Sequence, residues 1–266
     1  MASAFANPRT RSSCRFSRYI GIDYSGAGSP EARNSGLAVY EATGDGAPRR
    51  VLPDGGGRWS RVSLASWLEQ SLDAGAASPV LAGIDHGFSF PDAYFRRYGL
   101  ADWRQFLEDF VRHWPCDRIG VKVEDRRLGN PRGGEAHWLR LTESWTPSAK
   151  SVFRFDQQGS VAKSTHAGLP WLRRLAFMEG IHIWPFDGFR PVRGAHLVAE
   201  VYPALFHRRY RVPAGLGNHE RDAWSVCRWL QETDRNGCLD RYLEPPLTPH
   251  ERQLVRRREG WILGVA

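Results

Sequence analysis

The hydrophobic positions of the chain follow two rhythms, short continuous runs and stripes spaced three and four residues apart, and their alternation predicts an α/β fold. The first run, YIGIDYSGAG from Tyr19 to Gly28, reads as a buried strand that ends in Asp23 and breaks at once into a turn of small residues. Leu37 to Tyr40 predicts a second strand, antiparallel to the first across a long loop. A Gly- and Pro-rich bridge from Thr43 to Gly57 then leads to Val62–Leu72, where Leu64, Trp67, Leu68 and Leu72 keep helical spacing. PVLAGIDHGFSFP, Pro79 to Pro91, repeats the grammar of the first run, with Asp85 at its end and Gly87 close behind. A strand, helix, strand order predicts a right-handed parallel crossover, so Asp23 and Asp85 are expected side by side at one sheet edge.

Trp103 opens the strongest helical stripe, continued by Phe106, Leu107, Phe110, Val111 and Trp114, which is expected to face the core. From about 115 to 149 periodicity is lost among Gly, Arg and Pro, and the segment is expected to be an irregular insertion over one face. Order returns at Lys150 with KSVFRF and the turn QQGS; a helix is expected over Leu169 to Met178 and a strand at Ile181-HIWPF. HLVAEVYP, from His196 to Pro203, is a third apolar run, broken by Glu200. A carboxylate there needs a partner or a metal if the strand is buried on both faces, and none if alternation turns it to solvent. The last long helix is expected from Asn218, as a cap, to Thr233, with Asp222 in its first turn.

Composition adds bounds. With 266 residues, 41% of them hydrophobic, the chain can bury one good core, so a single domain over 19–266 with the insertion at about 115–149 is expected. Residues 1–18 carry Arg9, Arg11, Arg15 and Arg18 and no acid, and are expected to be a frayed, disordered start. Cys14, Cys116, Cys227 and Cys238 form no C-x-x-C pair, which suits reduced thiols and a cytoplasmic location. No apolar run approaches the roughly 18 residues of a membrane span. The formal charge of +8 and pI near 9.7 suit an anionic partner such as nucleic acid. Arginine supplies nearly all the cations, lysine appearing only at Lys122, Lys150 and Lys163.

Asp23, Asp85, Glu200 and Asp222 together fit the oxygen-ligand demand of Mg²⁺ or Mn²⁺, two of which, about 4 Å apart, clamp a phosphodiester during in-line displacement. Ser25, His86, Lys150 and Lys163 are candidate contacts to substrate phosphate, Ser25 in the turn behind Asp23, His86 directly after Asp85, and the lysines as compact cations in an arginine-rich chain.

GIDYSGA, GIDHGFSFP, AKSVFRFDQQGSVAKSTHAGLPWLRRL, AEVYP, RDAW and the closing EGWILGV resemble the predicted-nuclease family catalogued as domain of unknown function 429, over most of Tyr19 to Ala266. That family is similar to the ribonuclease H-like superfamily. The resemblance implies a mixed five-stranded sheet flanked by helices, with site acids on the first strand, the fourth strand and a late helix. Here those are Asp23, Asp85 and Asp222, with Glu200 joining from the following strand. Tyr24 stands where the family's first motif has a small residue. The implied activity is metal-dependent hydrolysis of nucleic acid. The alternatives are an actin-like ATPase or sugar-kinase-like phosphotransferase, since GIDYSGAG and GIDHGFS are also similar to Asp-x-Gly phosphate turns, and a catalytically dead nucleic-acid-binding module.

Overall fold

The structure, a computed structural model, describes residues 14–75, 78–146, 148–157, 159–206 and 208–266. In chain order its strands and helices are β1 (Arg18–Asp23), β2 (Ala38–Thr43), β3 (Arg49–Val51), α1 (Arg61–Ser71), β4 (Val80–Asp85), α2 (Asp92–Tyr98), α3 (Trp103–His113), α4 (Val123–Arg127), α5 (Leu141–Ser144), α6 (Ala162–Ala176), β5 (Ile181–Trp184), β6 (His196–Glu200), α7 (Asn218–Arg235), α8 (Leu239–Leu243) and α9 (Pro249–Leu254), the last running into a π turn over Val255–Glu259. They build one mixed sheet of six strands, ordered β3-β2-β1-β4-β6-β5. The β1–β2 hairpin is antiparallel, while β1, β4, β6 and β5 all run parallel.

The central strands read as unbroken apolar runs because both their faces are covered. Ile20, Ile22, Ala82, Ile84 and Val198 point toward α1, α3 and α6, where Leu64, Leu68, Phe106, Phe110 and Leu172 close the first core. Tyr19, Leu81, Leu197 and Ala199 point the other way, against Val226, Trp229 and Leu230 of α7 and Trp261 of the C-terminal segment. The crossover from β1 to β4 places Asp23 in register with Asp85, as the strand, helix, strand order predicts.

Helix α7 lies unusually close to the sheet because the positions beneath it are glycines. Gly21 and Gly83 are register partners on β1 and β4. A Cβ at Gly21 would collide with the Ala223 carbonyl oxygen and the Cys227 amide nitrogen, both backbone atoms of α7. One at Gly83 would meet Val201 Cγ1 at 2.8 Å and Val226 Cγ1 at 3.0 Å.

Several expectations need correction. The sheet has six strands rather than five; the extra one, β3, is a three-residue edge strand with two arginines, too short and too polar to stand out from the Gly/Pro bridge. The expected disorder does not hold over residues 14–18. Residues 1–13 lie outside the described residues, but the backbone N–H groups of Arg15 and Phe16 donate to the Asp234 carboxylate at 3.2 and 3.0 Å, and Phe16 is buried. The insertion is not structureless, since it holds α4 and α5 and is pinned to the preceding helices by a bidentate Arg132–Asp109 pair at 2.7 and 2.9 Å. Helix α6 also starts earlier than expected, its first two turns masked by small and polar residues, while KSVFRF forms turns.

Gly21→Ala should lower stability by about 1–3 kcal/mol, because the added methyl strikes helix backbone that cannot move aside. Gly133→Ala, where the nearest atom is 4.0 Å away, should change the urea midpoint little. Equal midpoints for the two variants would contradict the close packing of α7.

Candidate functional site

The C-terminal ends of β1 and β4 and the first turns of α7 meet at one edge of the sheet. Asp23 is buried, and Asp85, its register partner, is partly buried. Burial raises the Asp85 carboxyl well above the usual carboxylate range; the negative charges of Asp23 and Asp222 raise it further, as do a hydrogen bond with Asp23 and the charge of Glu200. A hydrogen bond between two carboxyl groups requires a proton between them, which the raised Asp85 pKa favours. Asp222 also lines a cavity of about 460 Å³ with Asn218, Arg221 and Ser225.

His219 completes the group. It stands one helical turn before Asp222, and its Nδ1 is 2.6 Å from Asp23 Oδ2. The bond to Asp23 raises its pKa; burial opposes that, and the charges of Asp23 and Asp222 reinforce it. On its other side His219 borders a second cavity, of about 240 Å³, together with Asn34, Arg58 and Trp59. The i, i+3 spacing of His219 and Asp222 is the signal in the sequence that could have found it. Helix α7 itself is capped differently from expectation: Gly217 is the cap, and Glu220 accepts its N–H at 2.9 Å.

Glu200 is buried in the neighbouring strand and is bound to protein. Arg140, 1% exposed, reaches from the insertion to make a two-pronged ion pair with it at 2.6 and 2.8 Å. Glu200 Oε2 also accepts the Phe88 N–H at 2.8 Å, which fixes the loop behind Asp85. The same guanidinium pairs with buried Glu143 at 2.9 Å. Burial would lower the Arg140 pKa, but Glu200 and Glu143 outweigh it and hold the charge. Of the four expected acids, then, Asp23 and Asp85 are register partners, while Asp222 and Glu200 act on Asp85 through their charges.

The candidate phosphate contacts separate. Ser25 lies in the turn after Asp23, its Oγ accepting from Asn34 Nδ2 at 3.0 Å, and buried Arg61 pins that turn through the carbonyls of Ser25, Ala27 and Gly28. His86 is turned into the core, with its ring 4.8 Å from Tyr24 and 5.1 Å from Phe88, and burial lowers its pKa to about 4, so it is neutral at physiological pH. Lys163 pairs with Glu124 at 2.6 Å, at the start of α6, where the backbone touches Gly26 of the same turn. Lys150 lies beside Gly159, its Nζ 3.7 Å from where a Cβ there would sit.

Among the described residues, no group of three or more His, Cys, Asp or Glu is drawn together as a metal-holding cluster, and no helix is long and apolar enough to cross a membrane. Comparison of the chain with protein-family models, curated proteins and solved structures found no match.

The Asp85 shift has a definite sign. Because the folded-state pKa lies above the unfolded value, the stability it contributes is complete at pH below the usual carboxylate range and is lost as pH rises through the raised value. In chelating buffer, urea stability of the wild type should therefore fall across that window, and Asp85→Asn, which cannot ionise, should flatten the fall and be the more stable protein at neutral pH. A parallel pH profile for the two would contradict the crowding of carboxylates.

Proposed function

We propose that the protein is a divalent-metal-dependent nuclease of the ribonuclease H-like kind, acting on the phosphodiester bonds of nucleic acid in the cytoplasm. The observation that carries this reading is the register pairing of Asp23 with Asp85, whose pKa is raised by burial and by the charges of Asp23 and Asp222. Mutually repelling carboxylates held on rigid elements are the donor set that a hard cation neutralises, and the proton shared by Asp23 and Asp85 occupies the place of that charge. Asp23 on the first strand, Asp85 on the fourth and Asp222 on a late helix are also the positions implied by the resemblance to domain of unknown function 429.

In this reading Asp23, Asp85 and Asp222 hold Mg²⁺ or Mn²⁺, which when bound supplies positive charge to a scissile phosphate. His219 orients the outer oxygen of Asp23 through its 2.6 Å contact. Glu200 serves the site indirectly, since its carboxylate is committed to Arg140 and to the amide of Phe88. Arg61 keeps the turn after Asp23 in place. The cavities on either side of the start of α7 give a polymer access to the acids.

The test joins binding to activity. Mn²⁺ at a hundred times its Kd should stabilise the wild type by about 2.7 kcal/mol, and Asp23→Asn should lose most of that gain. The same substitution should reduce metal-dependent cleavage of a panel of DNA, RNA and hybrid oligonucleotides by at least about a hundredfold. Stabilisation by ATP with Mg²⁺ but not by metal alone, with no cleavage in the panel, would replace the nuclease by the phosphotransferase reading.

A further inference from the structure

The second charged feature of the molecule is basic and lies away from the carboxylates. Helix α9 and the π turn that follows it carry Arg252, Arg256, Arg257 and Arg258. Arg258 turns inward, bonding Asp92 at 2.7 Å and the Ala101 carbonyl at 3.2 Å. Arg256 and Arg257 are exposed and Arg252 is half-buried, and none of the three forms an ion pair among the described residues. On other helices several arginines are matched by acids, as in Arg97–Glu135, Arg173–Glu108 and Arg174–Glu69.

These three guanidiniums border a cavity of about 650 Å³. The rings beneath them are packed into the protein: buried Trp103 stacks on Phe186 at 3.9 Å, and Arg252 lies 4.1 Å over the ring of buried Phe189. A second cavity, of about 310 Å³, shares Gln253 and Arg257 with the first and adds Arg96 and Arg258, so the two form a continuous groove. Six arginines line it (96, 104, 252, 256, 257 and 258) against two aspartates, Asp92 and Asp102.

The groove shares a sheet edge with the acids. β5 runs parallel to β6 and β4, so Phe186 and Phe189, which follow its C-terminal end, emerge on the side where Asp23 and Asp85 sit. From Asp23 on β1 to β5 is three strand spacings of about 4.8 Å, on the order of 15 Å. The loop behind Asp85 is tied directly to the basic turn: the Ser89 hydroxyl donates to the Arg258 carbonyl, and the Glu259 carboxylate accepts the Asp92 N–H at 2.7 Å.

We infer that this groove binds the phosphodiester backbone of a single strand of nucleic acid, leading it toward the aspartates a few nucleotides away. The inference rests on the nuclease reading for the identity of the polyanion. Closely spaced guanidiniums that outnumber the acids beside them in a concave channel are how sequence-tolerant proteins track the backbone of a strand. Each phosphate neutralised by such a guanidinium releases counterions, so affinity must fall with salt.

The probe is a fluorescein-labelled 12-nucleotide oligothymidylate, titrated by anisotropy in EDTA so that cleavage cannot contribute. Wild type should bind with a steep salt dependence. The variant R252Q/R256Q/R257Q should reduce the slope of log K against log salt by about 2, at roughly 0.7 for each phosphate no longer neutralised. R252K/R256K/R257K should retain most of the slope, and both variants should stay folded, because the three side chains form no internal ion pair and the glutamine variant gives up only the Arg252 contact over Phe189. Failure of the wild type to bind, an unchanged slope in the glutamine variant, or a loss of binding to phosphatidylserine vesicles without a loss for the oligonucleotide would overturn the inference. A reduced slope in a protein that cleaves nothing would sustain the groove while refuting the nuclease reading.

Discussion

The backbone contact between α7 and the sheet is the constraint on which the site depends. Helices ordinarily rest on sheets through a layer of side chains, and here that layer is missing at Gly21 and Gly83, the register-paired glycines of β1 and β4. The helix settles on the strand backbone, and the Cys227 thiol donates to the Tyr19 carbonyl at 3.2 Å. The approach brings the first turns of α7 to the end of the same two strands, so that Asp222 and His219 act on Asp85 and Asp23. A side chain at either glycine would lever the helix away and open the group of acids. Proximity of like charges is costly in the folded protein, and the close-packed α7 face, with Val226, Trp229 and Leu230 buried, is what offsets it.

Arg140 plays the corresponding part on the other side of the site. Its guanidinium joins the insertion to β6 through Glu200, to α5 through Glu143 and to the C-terminal segment through the Glu259 carbonyl at 3.3 Å. Glu259 continues the chain of contacts by accepting the Leu141 and Asp92 amides, both at 2.7 Å. Buried ion pairs add little net stability compared with an apolar core, but removing one partner leaves uncompensated charge and is strongly destabilising. The network therefore fixes geometry: it sets the loop after Asp85, through Phe88, and the basic turn of the C-terminal segment in one frame.

Asp23 and Asp85 were legible because two features coincide in the sequence, an apolar run stopped by an acid and a helix between two such runs, and the parallel crossover converts that order into adjacency. Glu200 was legible as an anomaly, yet its partner was not, because Arg140 sits in a stretch without periodicity, where nothing local distinguishes it from the other arginines. His86 follows Asp85 directly, but strand alternation turns it inward beneath Gly168, where a Cβ would meet its Nε2 at 2.6 Å. His219 escaped because polar residues fill the first turn of α7 and only the three-dimensional meeting with β1 selects one of them. Strand β3 escaped through brevity. The basic groove combines α3, the segment after β5 and the C-terminal turn, an association set by tertiary packing alone.

The central claim is that the three aspartates form a cation site. Crystals grown with Mn²⁺ and measured at the manganese absorption edge test it most directly. An anomalous peak bounded by the carboxylates of Asp23, Asp85 and Asp222, with Glu200 still paired to Arg140, is the result the account predicts. Absence of a peak there at saturating Mn²⁺, with Asp23 and Asp85 still within hydrogen-bonding distance of each other, would contradict it.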